Sequence, residues 1–212
     1  MIIKDTHVVR AGSEAARADA AVVMIHGRGA STEGMLDLAG EFVVPGIAFV
    51  APQAAASTWY PYSFLAPLAQ NEPALSDALA TIGRVVADVV AQGVPHERIV
   101  LLGFSQGACL ALEYAARNAR RWGGVVALSG GLIGPDGTPR DYASSLDGTP
   151  VFLGCSDVDS HIPLNRVHES AEVLGRLGGN VTKRIYPGMG HTIVADEVAH
   201  VQQLLRSFAA AA

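Results

Sequence analysis

The chain has 212 residues and a formal net charge of -5 at pH 7. Half of its residues are hydrophobic and 17% are charged, a length and balance that fit one domain over residues 1–212 with a full core. An acidic balance without a Lys/Arg cluster argues against nucleic acid as a partner, and no apolar run reaches the ~18 residues of a membrane span.

The N-terminus, Met-Ile-Ile-Lys-Asp-Thr-His, lacks the basic-then-apolar order of a signal peptide. Cys109 and Cys155 both fall in predicted core segments and read as buried thiols of a reducing compartment, so the expected location is cytoplasmic. A first strand is expected around Thr6 to Arg10. Ala20 to Ile25 is a continuous apolar run, the pattern of a strand buried on both faces of a parallel sheet. It ends in His26-Gly27-Arg28-Gly29, and Ser31 or Thr32 is placed to open a helix through about Phe42. Ile47 to Val50 is the next strand. From Gln53 to Asn71 the chain reads as a long loop with Trp59, Tyr60, Tyr62, Phe64 and Leu65, and loops of that length in compact domains are usually functional. Pro73 then opens a helix to about Gln92, closed by Gly93.

The next stretch organises the chain. The apolar run Ile99 to Leu102 meets Gly103-Phe104-Ser105-Gln106-Gly107, and an Ala/Leu-rich helical pattern follows to about Asn118. Strand, sharp turn and helix with a serine at the apex is the context of a nucleophile elbow, where flanking glycines avoid collisions and the hydroxyl stands at a helix N-terminus. The plainer reading is a serine capping an ordinary helix. Further strands are expected at Val125–Ser129, Val151–Gly154 and Val181–Tyr186, with helices over about Leu164–Leu177 and Val194–Phe208 and a fraying alanine tail. Strands alternating with helices predict an α/β fold: a mostly parallel twisted sheet of about seven strands with helices on both faces. Residues 130–149 are too few for a large cap domain.

A serine nucleophile needs a base and a carboxylate that holds the base in one tautomer. Of the later histidines, His168 and His200 lie in helical patterns and His161 is too near the acid candidates to come from a separate loop. His191 follows a strand and precedes a helix, so it is the expected base. Asp157 and Asp159 both follow the strand at Val151, and spacing alone does not separate them. Oxyanion stabilisation requires converging backbone N–H groups; Gln106, directly after the serine, and Arg28, in the glycine-rich turn, are the expected donors. Trp59, Tyr60, Phe64 and Leu65 are the expected pocket wall, against the alternative that these aromatics only pin their loop. No His/Cys cluster has metal-ligand spacing, and the chemistry requires no cofactor.

These blocks resemble the phospholipase/carboxylesterase family of α/β-hydrolases, which includes acyl-protein thioesterases and small bacterial carboxylesterases. The resemblance is carried by Ile25-His26-Gly27-Arg28-Gly29, the loop from Ala51-Pro52 to Trp59-Tyr60, Gly103-Phe104-Ser105-Gln106-Gly107 and Gly188-Met189-Gly190-His191. Asp157-Val158-Asp159-Ser160-His161-Ile162-Pro163 resembles a family segment whose second aspartate is the triad acid, which implies Asp159. His26-Gly27-Arg28-Gly29 and Asn71-Glu72-Pro73 look closer to the bacterial carboxylesterase branch. The resemblance implies hydrolysis of a small-molecule ester through Ser105, His191 and Asp159, and the short lid region implies an open site suited to short-chain, water-soluble esters. A thioesterase or lysophospholipase would share every part, and a binding protein on an inactive hydrolase fold is the alternative of another class. Dimerisation is compatible with so apolar a chain, with no interface located by the sequence.

Overall fold

The computed structural model describes residues 7–209. Seven strands form one sheet: β1 (Val8–Gly12), β2 (Ala20–Ile25), β3 (Ile47–Pro52), β4 (Ile99–Phe104), β5 (Gly124–Leu128), β6 (Pro150–Ser156) and β7 (Asn180–Tyr186). Their spatial order is β1-β3-β2-β4-β5-β6-β7. β1 runs antiparallel to β3, and every other neighbouring pair is parallel. This is the α/β-hydrolase arrangement expected from the sequence. The first strand begins and ends two residues later than expected, and Thr6 and the last three alanines lie outside the described residues.

The helices are α1 (Thr32–Glu41), α2 (Leu68–Asn71), α3 (Ala74–Ala91), α4 (Gln106–Arg117), α5 (Leu164–Arg176) and α6 (Ala195–Arg206). Alternation along the strands sorts the core into two layers, because successive side chains of a strand point to opposite faces. Val23, Ile25, Leu101, Ala127 and Leu153 face α3, α4 and α5. Val22, Met24, Leu102, Val126 and Phe152 face α1 and α6, where Met35 and Leu205 meet them. β2 is buried along its whole length, which explains its unbroken apolar sequence, whereas β7 at the sheet edge is half exposed and carries Lys183 and Arg184.

Where a loop was expected from Gln53 to Asn71, a 3-10 turn at Ala55–Ser57 and the single-turn α2 interrupt the coil. One turn is too short for the 3.6-residue period to register in a sequence. Between β5 and β6 there is no helix, so no helical cap is inserted at that point of the chain. No helix among the described residues is long and apolar enough to cross a membrane.

Candidate active site

One residue joins β4 to α4. Ser105 has φ +54° and ψ −118°, a backbone region that a residue with a side chain adopts only when its surroundings impose it. The elbow glycines show what imposes it. A Cβ on Gly103 would stand 2.1 Å from the carbonyl oxygen of Gly107, and one on Gly107 would stand 2.0 Å from that of Ile25. The serine N–H donates to the Leu128 carbonyl at 3.0 Å and its own carbonyl accepts from Cys109 N–H at 3.0 Å. Strand packing on one side and the first turn of α4 on the other therefore fix the hydroxyl at the helix N-terminus.

His191 reaches that hydroxyl from the loop between β7 and α6. Its Nε2 lies 2.8 Å from Ser105 Oγ and its Nδ1 lies 2.7 Å from Asp159 Oδ2. An ionised carboxylate only accepts, so the proton is assigned to Nδ1, leaving Nε2 free to accept from the serine. The Asp159 side chain has no solvent exposure, and its Oδ1 accepts from the N–H groups of His161 at 2.8 Å and Ile162 at 3.0 Å. Burial, the largest influence, pushes this carboxyl up. The hydrogen bonds from His191 and the two backbone N–H groups outweigh it, and the net shift is below the ordinary carboxylate value.

The two aspartates left unresolved by spacing occupy different places. The exposed Asp157 accepts from Gly188 N–H at 2.8 Å and so ties the start of the histidine loop to the acid loop. At its other end the histidine loop is held by Glu197, whose Oε2 accepts from Val194 N–H at 2.9 Å. Phe104 and His161 flank the His191 ring, with centroids 5.0 and 4.7 Å away.

Two backbone donors stand beside the serine. Gln106 opens α4, so its N–H has no acceptor within the helix, and neither it nor Arg28 N–H is paired among the described residues. A Cβ on Gly27 would lie 3.4 Å from Ser105 Cβ, which shows how closely the turn after β2 approaches the elbow. That turn is pinned from behind. The fully buried His26 donates from Nδ1 to the Gly27 carbonyl at 2.7 Å, and its Nε2 accepts from Ala54 N–H at 3.0 Å. Burial lowers its pKa below the ordinary histidine value, which keeps the ring neutral in this role. The Gln106 side chain braces the next loop, accepting from Trp59 N–H at 3.0 Å and donating to the Tyr60 carbonyl at 2.9 Å.

A cavity of about 580 Å³ opens over Ser105 and His191. Of the four residues expected in its wall, Tyr60 and Phe64 line it and Trp59 and Leu65 do not. Trp59 is buried and donates its indole N–H to the His26 carbonyl at 2.9 Å, and Leu65 packs against the core. Trp59 thus anchors the loop from within, and Leu65 faces the core rather than the cavity. Phe104, Cys109, His161 and Ile162 are also among its lining residues, a place the sequence reading did not give them. Burial pushes the Cys109 thiol up to about 12, so it presents a neutral surface. No group of three or more His, Cys, Asp or Glu among the described residues is arranged to hold a metal ion.

The phospholipase/carboxylesterase family pattern matches residues 5–209. The chain belongs to that family. It is 44% identical to a phospholipase/carboxylesterase from Dyadobacter fermentans, whose crystal structure superposes with a TM-score of 0.91 over 97% of this chain and 98% of that one. The crystal structure of the esterase PE8 matches at 27% identity and a TM-score of 0.82, covering 96% of this chain and 99% of that one. Acyl-protein thioesterase 1 of Gibberella zeae is 35% identical over 125 residues, 58% of this chain and 53% of that protein. The chain thus spans about half the length of that curated relative, while its alignment with acyl-protein thioesterase 1 of Yarrowia lipolytica, at 27% identity, covers 86% of this chain and 88% of that protein.

Proposed function

We propose that this family member is a serine carboxylesterase. The observation that carries the reading is the unbroken contact chain from the Ser105 hydroxyl through His191 to the Asp159 carboxylate, at 2.8 and 2.7 Å. In the proposed reaction His191 Nε2 takes the Ser105 proton as Oγ bonds to the ester carbonyl carbon. The oxyanion is held by the N–H groups of Gln106 and Arg28, donors already oriented before charge develops. Collapse of the intermediate breaks the carbon–oxygen bond to the alcohol, which leaves with the proton from His191. Water then repeats the sequence on the acyl-enzyme, and His191 returns the proton to Ser105. Asp159 stays ionised throughout and stabilises the transient imidazolium.

Short-chain, water-soluble esters suit a site with no helical cap inserted between β5 and β6, because an acyl chain longer than the open cavity extends into solvent. Fluorophosphonate labelling tests the nucleophile: wild-type protein is labelled and Ser105→Ala is not, whereas an unlabelled wild type means an inactive binding protein. A p-nitrophenyl ester series tests chain length, and faster turnover of long acyl groups than of butyrate rejects the short-chain reading. Thioester hydrolysis is the second reading, favoured by the named activity of the fungal relatives, and matched oxygen and sulfur esters separate the two.

A further inference from the structure

Arg28 has a second feature besides its backbone N–H. Its guanidinium donates to the carbonyls of Pro61 at 3.0 Å, Tyr60 at 2.9 Å and Tyr62 at 2.8 Å and sits 6.0 Å from the centroid of the Tyr60 ring. Carbonyls orient a guanidinium without neutralising it. Among the described residues Arg28 pairs with no carboxylate. The residue lines the cavity over Ser105, and among the described residues no Asp or Glu lines it, the Asp159 carboxylate lying buried behind His191. Three bonds also leave two of the five guanidinium N–H groups without a partner among these contacts. The cavity wall therefore carries a solvent-exposed cation that backbone carbonyls orient and no carboxylate pairs with, and the N-terminus of α4, where Ser105 stands, adds field of the same sign. The rest of the wall is largely apolar, with Phe64, Phe104 and Ile162.

A positive charge held in the wall of the cavity over a reactive hydroxyl, where the Asp159 carboxylate is buried and already bonded to His191, His161 and Ile162, discriminates by charge. We infer that the preferred substrates are esters that carry a carboxylate of their own, seated against the Arg28 guanidinium while Ser105 attacks the ester. This rests on the esterase reading and refines it from a chain-length class to a charged class. The cation acts on binding and orientation, because a carboxylate remote from the scissile bond changes little between ground and transition states. The gain is expected chiefly in KM.

The test compares kcat/KM on two isosteric pairs, each corrected for its uncatalysed hydrolysis. Mono-p-nitrophenyl glutarate against p-nitrophenyl valerate places the charge on the acyl side. 4-Acetoxybenzoate against 4-acetoxybenzamide places it on the alcohol side. The wild type is expected to prefer the anion of at least one pair by about tenfold, the scale of a charge-assisted hydrogen bond. That preference should shrink when salt is raised to about 0.5 M. Arg28→Gln should abolish the preference whatever it does to absolute rates, and Arg28→Lys should keep part of it. A wild-type ratio at or below one on both pairs, or a ratio unchanged in Arg28→Gln, overturns the inference and leaves Arg28 a loop clamp in an ordinary esterase. If the wild type hydrolyses no ester at all, the esterase reading falls and this one with it.

Discussion

The loops that carry Ser105 and His191 are built on opposite principles. At the elbow, backbone meets backbone: the space beside Gly103 and Gly107 is already filled by carbonyl groups of the elbow and of β2. In the histidine loop nothing lies within 4 Å of a Cβ built on Gly188 or Gly190, and position comes from hydrogen bonds to Asp157, Asp159 and Glu197. The nucleophile is fixed by steric exclusion and the imidazole by a few polar tethers. A steric frame fails wholly when it is filled, whereas tethers fail one at a time.

The sharpest break of that contrast is Gly107→Ala. The new methyl group has only backbone to displace, so destabilisation of more than about 3 kcal/mol is expected, read as a collapse of Tm or loss of soluble protein. Asp159→Asn comes next: the fold should survive, and kcat should fall roughly 10³–10⁴-fold because the amide no longer enforces the Nδ1–H tautomer. Asp157→Asn, which loosens a tether without touching the ring, should cost only about fivefold, near the worth of one exposed hydrogen bond. If the two aspartates cost the same, tether and acid are not distinct.

Glu197 offers a pH-dependent handle on the same loop. Burial, the main cause, raises its carboxyl to about 7, and its Oε1 lies buried without a partner against Gly154. A folded pKa above the unfolded one means that the folded state binds more protons, so stability is fully present at pH 4 and is lost as pH rises toward 7. Glu197→Gln should flatten this loss, worth on the order of 2–3 kcal/mol between pH 5 and 8, as seen by denaturant melts at both pH values. A pH profile that Glu197→Gln leaves unchanged would mean that this carboxyl ionises at the same pH in the folded and unfolded chain, and that its burial has no effect on its titration. The smallest effect belongs to Gly190→Ala, which meets open space and should change stability by less than about 0.5 kcal/mol.

The contrast also explains what the sequence made legible. Packed backbone leaves a signature: the unbroken apolar runs at β2 and β4 and the Gly103–Gly107 block announce strands and an elbow, and the sheet has them where expected. Tethers leave none. Asp157 and Asp159 look equivalent because strand alternation stops at Ser156, and beyond it only the turn geometry decides which carboxylate faces the ring. The aromatic loop is similar. Without a period to mark an inner face, Trp59 reads like Tyr60, although one braces the His26 turn and the other lines the cavity. The brace from Gln106 to residues 59 and 60 joins positions far apart in sequence, and neither residue type announces the other.

The bond from Gly188 to Asp157, standing beside that from His191 to Asp159, has a bearing on how such proteins are recombined. It makes the segment after β6 and the segment after β7 one mechanical piece, although thirty-one positions separate the bonded residues in the chain. A chimera that borrows either segment alone from a relative inherits half a latch; transplanting both together keeps the fastening with the parts it fastens.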